Sequence, residues 1–255
     1  MPVEVITIPC LSDNYGYLIR DQGTGQVAVL DAPDAAPLIA ALDARGWGLD
    51  QIWITHHHAD HTDGVPDLVA KYGAKTVGHA KDKARLPPLD IELVEGDTVA
   101  MGDTTARVLD VSGHTIGHIA FVLDADNIVF AADSLMALGC GRVFEGTHHM
   151  MWESLAKFLE LPDETMVYSG HNYGQANGRF ALSIEPDNAD LQARVDRIKQ
   201  ADADGTFIVP VSMAEEKATN PFLRAVEPSV RAAVGLDGAD DAAVFAEVRR
   251  RKDSF

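Results

Sequence analysis

Four side chains of the kind that bind metal ions, His56, His58, Asp60 and His61, fall within six positions of the segment THHHADHTDG at 55–64. The segment follows the apolar run Gln51-Ile52-Trp53-Ile54 directly, so the donors sit where a strand is expected to end and a loop to begin. Packing offers no reason to gather such groups. Imidazole nitrogens and carboxylate oxygens without a required thiolate suit zinc first, with iron or manganese as alternatives.

Three further donors follow other β-type runs. His114 comes after Arg107–Val111 and the turn Ser112-Gly113, Asp133 after Asn127–Ala132, and His171 after Thr165–Tyr168 and Ser169-Gly170. Loops at strand ends are where helix-covered sheets place their chemistry. Reach and charge divide the donors between two divalent ions. His56, His58 and His114 serve one, Asp60, His61 and His171 the other, and Asp133 bridges both through its two oxygens. A water-derived hydroxide fills the remaining bridging place, with Asp60 as the catalytic carboxylate that orients it. Two cations about 3.5–4 Å apart lower the pKa of such a water and stabilise oxyanion charge. His57 is expected to point away from the ions, and His118 to support its loop. His79, His148 and His149 read as surface or loop histidines.

The elements that must position these groups alternate. Strands are predicted at 3–8, 15–20, 27–31, 51–55, 75–78, 107–111, 119–123, 127–132 and 165–169, and helices near 34–45, 63–72 and 152–161. Gly23, Gly25 and the stretch Asp124–Asn127 punctuate hairpins. Beyond about residue 173 the chain reads as helices at 174–182, 188–201 and 240–251, with Leu191, Val195 and Ile198 on one face. The expectation is an α+β fold: sheets covered by helices over 1–173, then a small helical domain over 174–255.

Composition narrows the function. The chain of 255 residues is 46% apolar and 24% charged, ordinary for a globular protein. A formal charge of −18 argues against a nucleic-acid partner, whose phosphates demand cations. No apolar run approaches the ~20 residues that cross a bilayer, so no membrane partner is expected. The start, Met1–Ile6, lacks the features of a secretory signal. Cys10 and Cys140 read as free thiols, which fits a cytoplasmic protein. The tightest cationic cluster, Arg249-Arg250-Arg251-Lys252, reads either as a solvated helix face or fraying tail, or as a local site for an anion.

These residues resemble the metallo-β-lactamase superfamily, and within it the glyoxalase II (hydroxyacylglutathione hydrolase) family, almost end to end. Asp13-Asn14-Tyr15 with Tyr17-Leu18-Ile19 resembles the opening DNYxYLI, and THHHADHTDG resembles THxHxDHxGG with Asp63 replacing a glycine. The stretch Ser112–Ile119 resembles PGHTxGHI, and Gly170–Tyr173 resembles GHEY with Asn172 replacing the glutamate. More specific are the loop GCGRVFEGT at 139–147, the segment Asn220–Arg224 and the ending RRRKDSF. Ala132 stands where the family more often has glycine, and Met136 near a usual phenylalanine.

The resemblance implies an αββα sandwich with a helical C-terminal domain, acting on S-D-lactoylglutathione to give D-lactate and glutathione. It carries glutathione binding onto Arg142, Phe144, Tyr173, Arg249 and Lys252, with Phe144 where some members have tyrosine. Arg249 and Lys252 are three apart, on one helical face, and a dianionic tripeptide needs such a patch in an acidic chain. A monomer is expected. The rival enzyme reading is a mononuclear iron persulfide dioxygenase, which needs only two histidines and one aspartate, and so leaves Asp60, His61 and His171 unexplained. A non-catalytic, metal-stabilised binding protein is the alternative of a different class. A β-lactamase or lactonase would explain neither the 139–147 loop nor the basic C-terminal helix.

Overall fold

The computed structural model describes residues 3–255. The chain divides into two compact units, one built from the residues up to Asp110 together with Gly117–Phe130, the other from Val111–Ile116 and Ala131–Phe255.

In the first unit β1 (Val3–Cys10) and β2 (Asn14–Asp21) form an antiparallel hairpin in register from Val3 opposite Asp21 to Cys10 opposite Asn14. β3 (Val27–Leu30) pairs antiparallel with β2. The chain then rises through α1 (Ala35–Arg45) to β4 (Gln51–Trp53), and through α2 (Ala59–Thr62) and α3 (Val65–Tyr72) to β5 (Lys75–His79) and β6 (Ile91–Leu93). These last three strands extend the sheet in parallel, giving the order β1-β2-β3-β4-β5-β6. Asp34 caps α1 by accepting the Ala36 N–H, and Gly46 ends it in the left-handed conformation.

A second sheet follows as a meander: β7 (Thr98–Met101), β8 (Thr104–Asp110), β9 (Ile119–Leu123) and β10 (Ile128–Ala132), all antiparallel. The alternation of side chains along β2 shows why both sheets form. Tyr17 faces inward, its ring 5.5 Å from Phe130, and Trp53 stacks on Phe121 at 5.1 Å. Leu18 faces the other way, into a cluster with Leu38 and Leu42 of α1 and Val65 and Leu68 of α3. Each such buried aliphatic side chain contributes about 1.5–3 kcal/mol. β9 and β10 are buried along their whole length, which accounts for their unbroken apolar sequences.

The second unit carries α4 (His148–Leu159), β11 (Met166–Ser169), α5 (Gly174–Ile184), α6 (Ala189–Asp204), β12 (Val211–Ser212), α7 (Met213–Thr219), α8 (Pro228–Val234) and α9 (Asp241–Asp253). The Gly170 N–H donates to the Ala132 carbonyl, and β11 pairs antiparallel with β12. Leu138, Ala181, Leu191, Val195 and Ile198 form one core, and the rings of Phe180, Phe222 and Phe245 continue it. The buried Arg194–Glu216 ion pair is fully hydrogen-bonded, to the Thr219 hydroxyl on one side and the Asn220 amide on the other.

Several expectations are corrected. The helix predicted near 63–72 starts at Val65, and Gly64 before it, which separates it from α2, donates to the Ala32 carbonyl. A Cβ there would lie 2.6 Å from the Ala35 nitrogen, so the break is a close approach of two backbones. His79 is buried at the end of β5, its Nδ1 3.1 Å from the Gly117 carbonyl, and is not a surface group. His148 and His149 open α4, where His149 is exposed, a surface histidine as expected. β6, β7, β12, α2, α7 and α8 are additional to the predicted elements. Cys10 and Cys140 are free as expected, and both are buried, which pushes the thiols to about 11. No helix of the described residues is long and apolar enough to cross a membrane.

Candidate active site

The first unit brings together one set of donors in the turn after β4. Its organiser is Asp31, at the end of β3, 1% exposed and with a left-handed φ of 52°. One carboxylate oxygen accepts the Thr55 N–H at 2.9 Å, and the other accepts the Thr55 hydroxyl at 2.7 Å and faces His61 Nδ1 at 2.8 Å. A carboxylate only accepts, so His61 carries its proton on Nδ1 and its Nε2 is left as a lone pair. The Thr55 hydroxyl has spent its hydrogen on Asp31, so at 3.0 Å its oxygen accepts from His56 Nδ1, leaving His56 Nε2 as the second lone pair. One buried carboxylate thereby sets the tautomer of two imidazoles.

His56 Nε2 and His58 Nδ1 approach to 3.1 Å, a pairing that a shared proton or a shared cation satisfies. His61 Nε2 lies 3.8 Å from Asp60 Oδ2. Asp31 also falls within metal-binding distance of His56 and His61, but its oxygens are already committed to Thr55 and His61. His118 is buried and stacked on His56 at 4.6 Å. His57 turns to Asp82 at 3.0 Å and away from its neighbours.

The second unit gathers the other set. His114 Nε2 lies 3.5 Å and His171 Nε2 3.3 Å from the same oxygen, Oδ2 of Asp133. All three residues are buried. The Arg142 carbonyl accepts from His114 Nδ1 at 2.7 Å, which again leaves Nε2 as the lone pair. A carboxylate between two imidazole nitrogens is the arrangement a bridging ligand needs. Nitrogen and oxygen donors in both sets, with tautomers fixed from outside, fit hard or borderline divalent cations such as zinc, iron or manganese.

The loop 139–147 is built around these donors. Gly141 donates to the Asp133 carbonyl at 2.8 Å, and a Cβ on it would lie 2.4 Å from that oxygen and 2.8 Å from His114 Nδ1. Phe144 N–H donates to the His114 carbonyl, Gly146 N–H to that of Gly113, and Glu145 accepts from Ile116 N–H at 2.8 Å. The Phe144 ring is 62% exposed and 5.3 Å from His114, and Tyr173 stacks on His171 at 4.7 Å.

The cationic residues take different places. Arg249 is 5% exposed, bonded through Nη1 to the Cys140 carbonyl and through Nε and Nη2 to Asp253. Arg142 is exposed, with Nε 3.5 Å from the same Asp253 oxygen. Lys252 donates to the Ala176 carbonyl and lies over Phe180 and Phe255. Burial first, and then the charges of Arg249 and Arg179, push its ammonium down to about 8. Arg249 and Lys252 therefore belong to one cationic group, and Asp253, Arg179 and Asp31 are residues the sequence reading missed. For Asp31 the signal was available: it follows the apolar run Val27–Leu30 as Asp133 follows its own run.

Comparison with known proteins agrees over the whole chain. The metallo-beta-lactamase superfamily profile matches residues 13–171, and that of the hydroxyacylglutathione hydrolase C-terminus matches 172–255. A hydroxyacylglutathione hydrolase of Ruegeria pomeroyi is 56% identical over 255 residues, covering 100% of both chains. Among solved structures, ETHE1 from Myxococcus xanthus superposes with a TM-score of 0.66 at 26% identity, covering 100% of this chain and 99% of the other. TTHA1623, solved in a di-iron-bound form, gives a TM-score of 0.57 at 28% identity over 66% of this chain and 91% of its own. The sheets and helices described above are those of the metallo-β-lactamase fold with a small helical C-terminal domain, and the chain belongs to the hydroxyacylglutathione hydrolase family of that superfamily.

Proposed function

We propose that this protein hydrolyses S-(2-hydroxyacyl)glutathione thioesters, with S-D-lactoylglutathione as the preferred substrate and D-lactate and glutathione as products. The observation that carries the reading is end-to-end identity with a hydroxyacylglutathione hydrolase, 56% over 255 residues. The donor chemistry supports it. His56, His58 and His114 would hold one divalent ion, Asp60, His61 and His171 a second, and Asp133 both. Zinc is the first choice and iron or manganese would fit. When bound, two such ions lower the pKa of water and neutralise oxyanion charge.

The chain's own groups do the rest. Asp31, directly for His61 and through Thr55 for His56, presents both imidazoles in the tautomers that coordination requires. Asp60 accepts a hydrogen bond from the water that adds to the thioester carbonyl. The C–S bond then breaks, and the glutathione thiolate leaves without a strong general acid, since a thiol pKa is about 8.5. The catalytic segment in this reading is 1–173, and 174–255 supplies glutathione contacts, a boundary supported by the meeting of the two family profiles at 171 and 172. Arg142, Phe144, Tyr173, Arg249 and Lys252 bind the tripeptide, and a dianionic ligand suits a cationic group in a chain of charge −18.

The test compares S-D-lactoylglutathione with a glutathione-free thioester of the same acyl group on the purified protein. Turnover of the first at a far lower KM is expected. Oxygen consumption with glutathione persulfide, and no hydrolysis of either thioester, would overturn the reading.

A further inference from the structure

The opening motif Asp13-Asn14-Tyr15 has no role in the chemistry so far, yet Asn14 reaches into it. Asn14 is the first residue of β2, paired with Cys10 across the hairpin and only 4% exposed. Its single amide nitrogen, Nδ2, lies 3.0 Å from the main-chain carbonyl of Asp60 and 3.0 Å from Asp60 Oδ2. An amide nitrogen has two hydrogens, so one group holds both the backbone and the side chain of the same residue.

The grip matters because it holds main chain and side chain of Asp60 from one atom. It sits in a four-residue helix, α2, and its side chain is 41% exposed. Such a carboxylate ordinarily samples several rotamers in water. Oδ2 is also the oxygen nearest His61 Nε2, at 3.8 Å. A carboxylate oxygen has two lone pairs, so accepting from Asn14 does not bar Oδ2 from an ion beside His61.

We infer that Asn14 is a positioning residue for the Asp60 side of the metal centre: it selects the rotamer and the oxygen that Asp60 presents to the ion shared with His61. This rests on the reading that Asp60 is a ligand. The role is one of ordering a half-exposed donor, and it acts through the two hydrogen bonds to Asp60. His56 and His58 take their orientation from other neighbours, so the effect is confined to one ion.

The experiment titrates zinc from the full-length, zinc-loaded protein with a chromogenic chelator, for wild type, Asn14→Ala, Asn14→Asp and Asp60→Ala, with thermal melts of the zinc-free forms alongside. Both Asn14 variants are expected to release one zinc ion about 10–100-fold more readily than wild type while the other is held as before. Asn14→Asp keeps the volume and removes the donor, so it gives the answer should Asn14→Ala fail to fold. Equal weakening of both ions together with a lower zinc-free melting temperature would make Asn14 merely structural and overturn the inference. So would wild-type retention of both ions in the Asn14 variants while Asp60→Ala loses one. Retention of both ions by Asp60→Ala would instead overturn the ligand reading on which the inference stands.

Discussion

At the scale of single residues, three positions carry sharp expectations. Asp31 satisfies the Thr55 N–H, the Thr55 hydroxyl and His61 Nδ1 at once. Asp31→Ala strands these buried donors, each at about 1–3 kcal/mol. A clear fall in melting temperature should accompany zinc loss that is about 10–100-fold easier, read by melts and chelator titration. Unchanged zinc retention would remove Asp31 from the tautomer argument. Ala132, beside Asp133, has a φ of 42°, where the family more often has glycine. The left-handed region costs a residue with a Cβ about 1–2 kcal/mol, partly offset by the entropy glycine loses. Ala132→Gly should therefore stabilise the protein by roughly 0.5–1 kcal/mol, seen as a rise of a few degrees in melting temperature with activity preserved. A fall in melting temperature would contradict the strain.

Lys252 gives the pH dependence. Its ammonium is held down to about 8, first by burial and then by Arg249 and Arg179, so it is charged at pH 7 and largely neutral at pH 9. Anion binding should be strong below about 8 and weaken as the pH rises through that value. The Ki of S-methylglutathione, which has no thiol to titrate, should increase several-fold between pH 7 and 9. Lys252→Arg should flatten the rise, because arginine stays charged. A profile identical in both proteins would take Lys252 out of the binding group.

At the scale of elements, the 139–147 loop is the test case, since Gly141 lies against both the Asp133 carbonyl and His114. Gly141→Ala must push the loop or the donors apart. A displacement of about 1 Å at a reacting centre can cost 10²-fold in rate, so kcat should fall by that order while circular dichroism stays native. Wild-type kcat would mean the loop can yield without moving the donors. Elements also show what a sequence makes legible. β9 and β10 were readable because burial on both sides leaves an unbroken apolar run. β6, β7 and β12 have only three, four and two residues, too short for periodicity to show. α7 and α8 have seven residues each, in a proline-broken stretch where local signals favour turns. The HxHxDH donors announced themselves by density, whereas the signal at Asp31, one aspartate after an apolar run, is shared with many turn formers. His79 misled because nothing in its local sequence shows that Gly117 will cover it.

At the scale of the molecule, each compact unit presents its own converging donor set, one ordered by Asp31 and Asn14 and the other by Asp133 and the 139–147 loop. Neither set contains a thiolate, and each uses hydrogen bonds from outside to choose which imidazole nitrogen is left for coordination. The chain is acidic overall, and Arg142 and Arg249 both approach Asp253. In the proposed function, metal chemistry and recognition of an anionic tripeptide fall to different residues. The central claim is that thioester hydrolysis depends on two ions held by these donors. Its most direct test is hydrolysis of S-D-lactoylglutathione by the full-length protein as purified, after chelator treatment, and after stepwise return of zinc, with metal content measured in each sample. Two equivalents of metal in the active protein, loss of turnover on stripping and full recovery only near the second equivalent are predicted. Turnover that survives removal of both ions, or that is complete with one, would contradict the account.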